Sequence, residues 1–429
     1  MGTAQGGSGF VLRSQSATTL GSAQAGMTAG AEDVTSMIFN PAALARGSGF
    51  EGAVVGTGIF TSATFSQSSA ATIFGTPITG SNGGNDGTQV LIPSLYFSVD
   101  LPAGFRAGLA VTSLYGLGSY WADGWVGRYH ALNSQLVTQD FVLALSYEIM
   151  PSLSLGVGID VEYAQIKSTS AIDFGTIDTA LSGGLLGGIP GRSDGLARSK
   201  ADSVAVGFLL GVLYEPVPGT QVGIGFRSGM SQNSSGTTTF EPGGATGAAY
   251  AASGVFIPTG VTTKLNLPAA ASIGVSQRLD DNWTVMADLQ WMGWNTFRSL
   301  QATFANPLQP PSLTVYDWHD SVFVAVGTKY RFRDDMTIRF GVAYDQSPAR
   351  SSTRTPAIPD SDSVWTSIGF QYKPSETLKF DLAIGHIFVT SAPIALAATS
   401  QGNVFRGSLS GTVGGGSVSY IAGQVSFRY

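Results

Sequence analysis

Apolar and polar residues alternate one by one along most of this chain. Between Leu153 and Tyr163 the odd positions are Leu153, Leu155, Val157, Ile159, Val161 and Tyr163, and the even ones are Ser154, Gly156, Gly158, Asp160 and Glu162. Met336, Ile338, Phe340, Val342 and Tyr344 alternate in the same way with Thr337, Arg339, Gly341, Ala343 and Asp345. Val322, Val324, Val326, Tyr330 and Phe332 do so with Ser321, Gly327, Lys329 and Arg331. Successive strand side chains point to opposite faces, so this period builds a wall with one apolar and one polar side. Runs and turns together predict about fourteen strands after an N-terminal segment of some fifty residues. They fall near 51–66, 89–100, 105–121, 135–149, 152–168, 203–215, 220–232, 262–279, 283–300, 318–332, 336–346, 362–373, 377–389 and 417–429.

The connections alternate too. Leu101–Gly104, Met150-Pro151, Pro216–Gly219, Asp280–Asn282, Arg333–Asp335 and Pro374–Glu376 are short and rich in turn formers. The connections 169–202, 233–261, 346–361 and 390–416 are long. Bacterial outer-membrane barrels have short periplasmic turns, long external loops and an even strand count, so both termini are expected in the periplasm.

Composition points to the same solvent. Charged residues are 12% of the 429, about half the roughly 25% of soluble domains. Mean hydropathy is +0.17, yet the longest apolar stretch, Val204 to Tyr214, is too short for a spanning helix and is interrupted by Gly207 and Gly211. A closed barrel is the remaining way to pair every backbone group in lipid, and one large barrel uses this length as a single unit. A net charge of −6 offers no footprint for nucleic acid. The absence of cysteine excludes disulfides and thiol chemistry and suits passage through an oxidising periplasm. Met1–Gln5 lacks the basic start and apolar core of a signal peptide, so the chain reads as a mature form with a replaced start.

Aromatic residues at Trp121, Trp125 and Tyr129, at Trp291 and Trp294, at Tyr316 and Trp318, and at Trp365 and Tyr372 are expected to form interfacial girdles. The last residues, Val425-Ser-Phe427-Arg-Tyr429, form an alternating strand closed by an aromatic, like the C-terminal assembly signal of outer-membrane proteins. Residues 1–50 do not alternate. Ala23, Ala25, Met27, Ala31, Val34, Met37 and Ile38 have helix-like spacing, and the segment is too polar for lipid and too short to fold alone. It is expected inside the lumen as a helical plug, because side chains alone cannot fill a wide barrel.

Gly9-Phe10, Leu20-Gly21, Ala25-Gly26, Asp33 and Asn40-Pro41-Ala42 resemble the N-terminal hatch of the FadL family of outer-membrane transporters for long-chain fatty acids and hydrocarbons. The resemblance extends over essentially the whole chain. It runs through Thr112–Leu117, Trp294–Phe297 with Leu300–Thr303, and most specifically Gly341–Pro348 with Ile358–Asp360 and Trp365. It implies an all-β, fourteen-stranded barrel with a hatch at 1–50 and a wall at 51–429. It also implies gating residues at Asn40, Pro41 and Ala42, and a lateral exit at a kink of the third strand, where Gly116 and Gly118 fall.

Family members that carry fatty acids hold the carboxylate with basic residues, and the corresponding positions here are Ser170 and Thr314. Neither is basic. Lys167, Arg192, Arg198 and Lys200 are candidate substitutes, and an uncharged alkane, terpene or monoaromatic is an alternative ligand. Leu181, Leu185, Leu186 and Ile189 in one loop, and Tyr250, Val255, Phe256 and Ile257 in another, are expected to form a capture groove. With Phe10, Lys167, Ser170 and Thr314 they complete the candidate ligand contacts.

The resulting expectation is a monomeric, non-enzymatic carrier in outer-membrane lipid and lipopolysaccharide, with a hydrophobic small molecule as ligand and no cofactor or metal. A general diffusion porin, an outer-membrane lipid hydrolase and a soluble glycine-rich β protein are the competing readings. Against the hydrolase, His130, His319 and His386 are scattered, and there is no Gly-x-Ser-x-Gly elbow or Cys/His metal spacing.

Overall fold

The alternating strands close into one antiparallel barrel. A computed structural model describes residues 7–84 and 87–429, so the chain's start at Met1–Gln5 lies outside the described residues. Twenty strand segments make fourteen strands, because six strands are interrupted once. They are β1 (Phe50–Ala71), β2 (Gln89–Asp100), β3 (Phe105–Thr112 and Gly116–Tyr120), β4 (Asn133–Met150), β5 (Leu153–Asp173), β6 (Asp194–Val217) and β7 (Thr220–Arg227 and Met230–Glu241). There follow β8 (Thr259–Leu267 and Ala270–Arg278), β9 (Trp283–Met292 and Ser299–Phe304), β10 (Ser312–Val315 and Ser321–Arg333), β11 (Met336–Asp345), β12 (Ser363–Ser375), β13 (Leu378–Val389 and Ala392–Leu396) and β14 (Ser408–Arg428). β1 pairs with β2 on one side, Phe50 opposite Val99, and with β14 on the other, Glu51 opposite Arg428, which closes the ring.

The two faces are those of the alternation. Along β5, Leu155, Val157, Ile159, Val161 and Tyr163 are exposed on the outside while Ser154, Gly156, Asp160 and Glu162 are buried within. Several strands run further than expected: β6 already starts at Asp194, and β7 continues to Glu241 with Leu196 opposite it. Their outward side chains are mostly polar, with Arg198, Lys200 and Asp202 on β6 and Asn233, Ser235, Thr237 and Thr239 on β7. Beyond the hydrocarbon no face has to be apolar, so the ladder continues after the alternation stops.

The girdle assignment is corrected. Trp121, Trp125, Tyr129, Trp294, Tyr316, Trp318 and Trp365 are buried, and of the set only Trp291 and Tyr372 are exposed. Outward aromatics near the short turns are instead Phe50, Phe97, Phe105, Tyr147, Trp283 and Phe380. The buried ones lie at strand interruptions, in loops or on inward positions, where they belong to a core inside the barrel.

That core is built on the N-terminal segment, which is buried from Ser8 to Ala29 with little interruption. Its helical content is smaller than the spacing implied: one turn over Ala17–Leu20 capped by Ser16, and 3-10 turns over Val34–Ile38 and Pro41–Arg46 capped by Asp33 and Asn40. Contact with the wall, more than helix formation, organises it. Asp288 of β9 accepts from Gly26 N at 2.5 Å and Thr28 N at 3.0 Å, and Gln424 of β14 accepts from Ala17 N at 3.0 Å. Glycines on the inner face allow the close approach. A Cβ at Gly341 would come within 1.9 Å of Ser22 O, and one at Gly156 within 2.2 Å of Ala42 N.

Near the short turns the segment is held by charge. Arg339, 1% exposed, donates to Glu32 at 2.7 Å and to Asp381 at 2.9 Å, and Lys379 meets Asp33 at 2.6 Å. Burial disfavours the Glu32 carboxylate, but Arg339, Lys329 and Lys379 overcome it and hold its pKa below the usual range. Removing one partner of such a network strands the others. Arg339→Ala is expected to cost about 3–5 kcal/mol in denaturant unfolding, whereas truncating the exposed Arg333 should cost less than about 1 kcal/mol.

Candidate functional site

β2 and β3 are sequential strands that pair over only part of their length. Phe105–Thr112 of β3 pairs with Leu95–Asp100 of β2, but Gly116–Tyr120 pairs with β4 only. On β2, residues 89–94 therefore keep β1 as their single partner, leaving an open ladder of about 20 Å at roughly 3.3 Å per residue. Pro93 lies in this stretch, where a residue without an N–H is tolerated because that edge needs fewer donors. Gly116, Leu117, Gly118 and Ser119 are all buried, so this part of β3 has lost the two-sided character of a wall strand.

The displaced part of β3 pairs with the N-terminal segment. Leu12 N donates to Leu114 O at 2.8 Å and Gly116 N to Phe10 O at 2.9 Å. A Cβ on Gly116 would lie 2.8 Å from Leu12 Cδ1, so a larger residue there presses on the segment. Asp140 of β4 accepts from Leu114 N at 2.9 Å, and Gln15 Nε2 donates to Ser113 O at 2.7 Å.

Phe10 enters an aromatic box formed by Tyr115, Trp294, Phe297 and Trp318, with ring centroids 6.1, 4.8, 5.8 and 5.7 Å away. The indole N–H groups of Trp294 and Trp318 are buried without a partner among the described residues. Phe10 is held there by its neighbours. Gly7 N and Gly9 N donate to Asp360 at 3.0 and 3.2 Å, Ser8 Oγ donates to Asp345, and Arg13 pairs with Asp345 at 3.5 Å. Gly9, at φ 71°, has room for no side chain, since a Cβ would reach 2.5 Å from Trp318. Beside this segment a cavity of only 60 Å³ remains, lined by Leu12, Tyr115, Phe226 and Met292 among others. Small-molecule sites are typically about 300–1,000 Å³, so this space is too small for a ligand while the segment stays in place.

The other singled-out residues divide clearly. Asn40 Oδ1 accepts from Ala42 N at 3.1 Å, while its Nδ2 donates to Thr28 O at 2.8 Å and to Val212 O of β6 at 2.9 Å. Pro41 supplies the first residue of the turn that follows. Phe174 and Phe240 gather Phe256, at 5.0 and 5.5 Å, and Tyr250 stacks on Phe174 at 6.0 Å. Tyr250 and Phe256 thus join two loops, while Leu181, Leu185 and Leu186 remain exposed on top.

Lys167 is a correction. It lies on the face of β5 that carries Val161 and Tyr163, directly opposite Lys200, and so points out of the barrel; counting on from Tyr163 by twos would have shown this. Arg192 and Lys200 are exposed and Arg198 pairs with Glu241. Ser170 and Thr314 occupy inward positions; Thr314 accepts from Arg406 at 2.9 Å. Sequence reasoning gave no role to the aromatic box, to Asp345 and Asp360, or to Arg406. Pro93, inside an otherwise regular strand, was the one unused signal for the open ladder.

Asp360, in the loop after β11, has its carboxyl pushed up to about 7 by burial, with Asp345 adding to the rise and Ser347, Gly9 and Arg354 opposing it. A carboxyl raised on folding stabilises the fold below its unfolded value, and that contribution is lost as pH rises through about 7. Asp360→Asn should therefore gain melting temperature relative to the parent as pH goes from 5 to 8. An unchanged difference across this window would show that Asp360 does not titrate there.

The family comparison agrees with this architecture. A model of the outer membrane protein transport family (OMPP1/FadL/TodX) matches residues 2–429. The long-chain fatty acid transport protein of Escherichia coli O6:H1 is 26% identical over 403 residues, covering 88% of this chain and 86% of that protein. Outer membrane protein P1 of Haemophilus influenzae is 24% identical over 406 residues, covering 88% and 85%. Among solved structures, a Pseudomonas aeruginosa FadL homologue superposes with a TM-score of 0.91 at 22% identity, covering 98% of this chain and 100% of that one. The Pseudomonas putida toluene transporter TodX gives 0.69 at 16%, covering 98% and 99%. The closed fourteen-stranded barrel and the match along the whole chain place this protein in the OMPP1/FadL/TodX family of outer-membrane transport proteins.

Proposed function

We propose that this protein takes up hydrophobic compounds, long-chain fatty acids or hydrocarbons, across the outer membrane by passive diffusion, and releases them sideways between β2 and β3. The observation that carries the reading is the open ladder beside Gly116, which adjoins the part of the N-terminal segment that plugs the lumen. In this reading the long loops face outward and both termini the periplasm. Leu181, Leu185 and Leu186 collect the ligand at the membrane surface. The ligand then displaces Phe10 from its box, and movement of residues 8–15 uncovers the gap. The related long-chain fatty acid transport protein and toluene transporter favour an apolar or amphiphilic cargo.

The straight route through the barrel suits such cargo poorly. At the short-turn end the lumen opens into a cavity of 420 Å³ lined by Glu32, Asp33, Lys329, Lys379 and Arg428. An apolar chain would have to leave through a charged vestibule into water. A sideways exit keeps it in lipid, where transfer is favourable by roughly 0.8 kcal/mol per CH₂. No energy source is required.

Two variants test this. Ile92 is buried at the edge of the gap, and Ile92→Arg should lower oleate uptake by cells or proteoliposomes about tenfold or more, since an unpaired charge there opposes an apolar solute. Asn40→Ala removes three hydrogen bonds, two within the segment and one to Val212 O of β6, and should change uptake while the barrel still folds. Unchanged uptake in both variants would overturn the gated sideways route.

A further inference from the structure

We propose that Arg406 is an anion-binding residue in the outer lumen and that it selects amphiphiles with a carboxylate head over neutral hydrocarbons; this rests on the transport reading and names its ligand class. Arg406 lies in the loop between β13 and β14 and is half-buried. Its guanidinium donates to Thr314 Oγ1 at 2.9 Å and Ser312 Oγ at 2.8 Å. Both acceptors are neutral. Among the described residues no carboxylate forms an ion pair with it, and Tyr316 is the one group that favours its charge against burial.

Other enclosed cations are treated differently. Arg13 meets Asp345, Arg128 meets Asp194 and Arg227 meets Asp160. Arg354 directs its donors to the backbone carbonyls of Asp360, Pro393 and Ala349. Arg406 lacks any such arrangement. A guanidinium has five N–H donors in a planar fork, and the two hydroxyls leave three of them for another acceptor. His130, a basic group that feels the charge of Arg406, is pushed down to about 3 by burial and by Arg406 itself, so the imidazole adds no second charge.

The surroundings fit a chain behind that anion. Thr314 faces inward opposite Leu300, which packs against the core. Tyr316, two residues or about 7 Å further along β10 at roughly 3.3 Å per residue, stacks on Phe297 at 4.5 Å and neighbours Trp318. A head bound at Arg406 thus directs its tail over Tyr316 toward the box that Phe10 occupies. The hydroxyls fix the fork, so the acid is distinguished by charge and geometry together.

The test is quenching of the tryptophans by 9,10-dibromostearate and by the corresponding dibromo alcohol, with the full chain in detergent. Arg406→Gln should weaken the acid about 10- to 100-fold, the range for a charged hydrogen bond, and the alcohol by less than about twofold. Equal loss for both quenchers, or none for the acid, would overturn the proposal. If that variant does not fold, Ser312→Ala with Thr314→Ala leaves the charge but frees the fork, and the acid-to-alcohol preference should fall severalfold; an unchanged preference overturns it. A parent protein quenched by neither compound would refute the transport reading itself, whereas equal binding of acid and alcohol by the parent refutes only the role of Arg406.

Discussion

Every backbone N–H and C=O that crosses hydrocarbon has to be paired within the protein, and this chain meets that demand by closing β1 on β14. Most of the structure follows. Closure with fourteen strands leaves a lumen too wide for wall side chains to fill, so the N-terminal residues occupy it. The wall accommodates them with glycine at close contacts such as Gly341, Gly211, Gly223 and Gly156. Where contact is polar it uses inward Asp288, Arg339 and Gln424.

The same demand explains why the break in the ladder is conspicuous. An open edge in lipid costs several kcal/mol per unsatisfied group, and here the cost is reduced in three ways. Pro93 removes one donor, β3 turns inward so that its backbone pairs with Val11 and its neighbours, and Gln15 and Gln139 cap the carbonyls of Ser113 and Thr112. The N-terminal segment therefore serves two ends at once. Its Phe10 fills the aromatic box, and its next residues pair with the displaced part of β3 beside the gap, so the proposed displacement of Phe10 would act on the gap through the same backbone.

The barrel was legible because its signal is repeated: alternation in β5, β10 and β11 and Pro/Gly/Asp turns all point to one architecture. The strand extensions at Asp194–Asp202 and Asn233–Glu241 were not, since outside lipid the pattern no longer has to alternate. The site was partly legible. Gly116, Phe10 and Asn40-Pro41-Ala42 stood out by resemblance, but the box around Phe10 joins residues from β3, β9 and β10, and no local pattern brings Tyr115, Trp294 and Trp318 together. Arg406 was hidden for a similar reason: its relation to Thr314 spans 92 residues. Lys167 shows the opposite case, in which strand parity alone was enough to turn a candidate away from the lumen.

The central claim is that cargo leaves through the wall and not through the periplasmic mouth. Photolabelling with a diazirine-bearing fatty acid during uptake, followed by mass-spectrometric mapping, reads this directly. Adducts at Val90, Ile92 and Leu117, on the two sides of the open ladder, are the predicted result. Adducts concentrated instead at Lys329, Lys373 and Lys379 in the charged vestibule would contradict it.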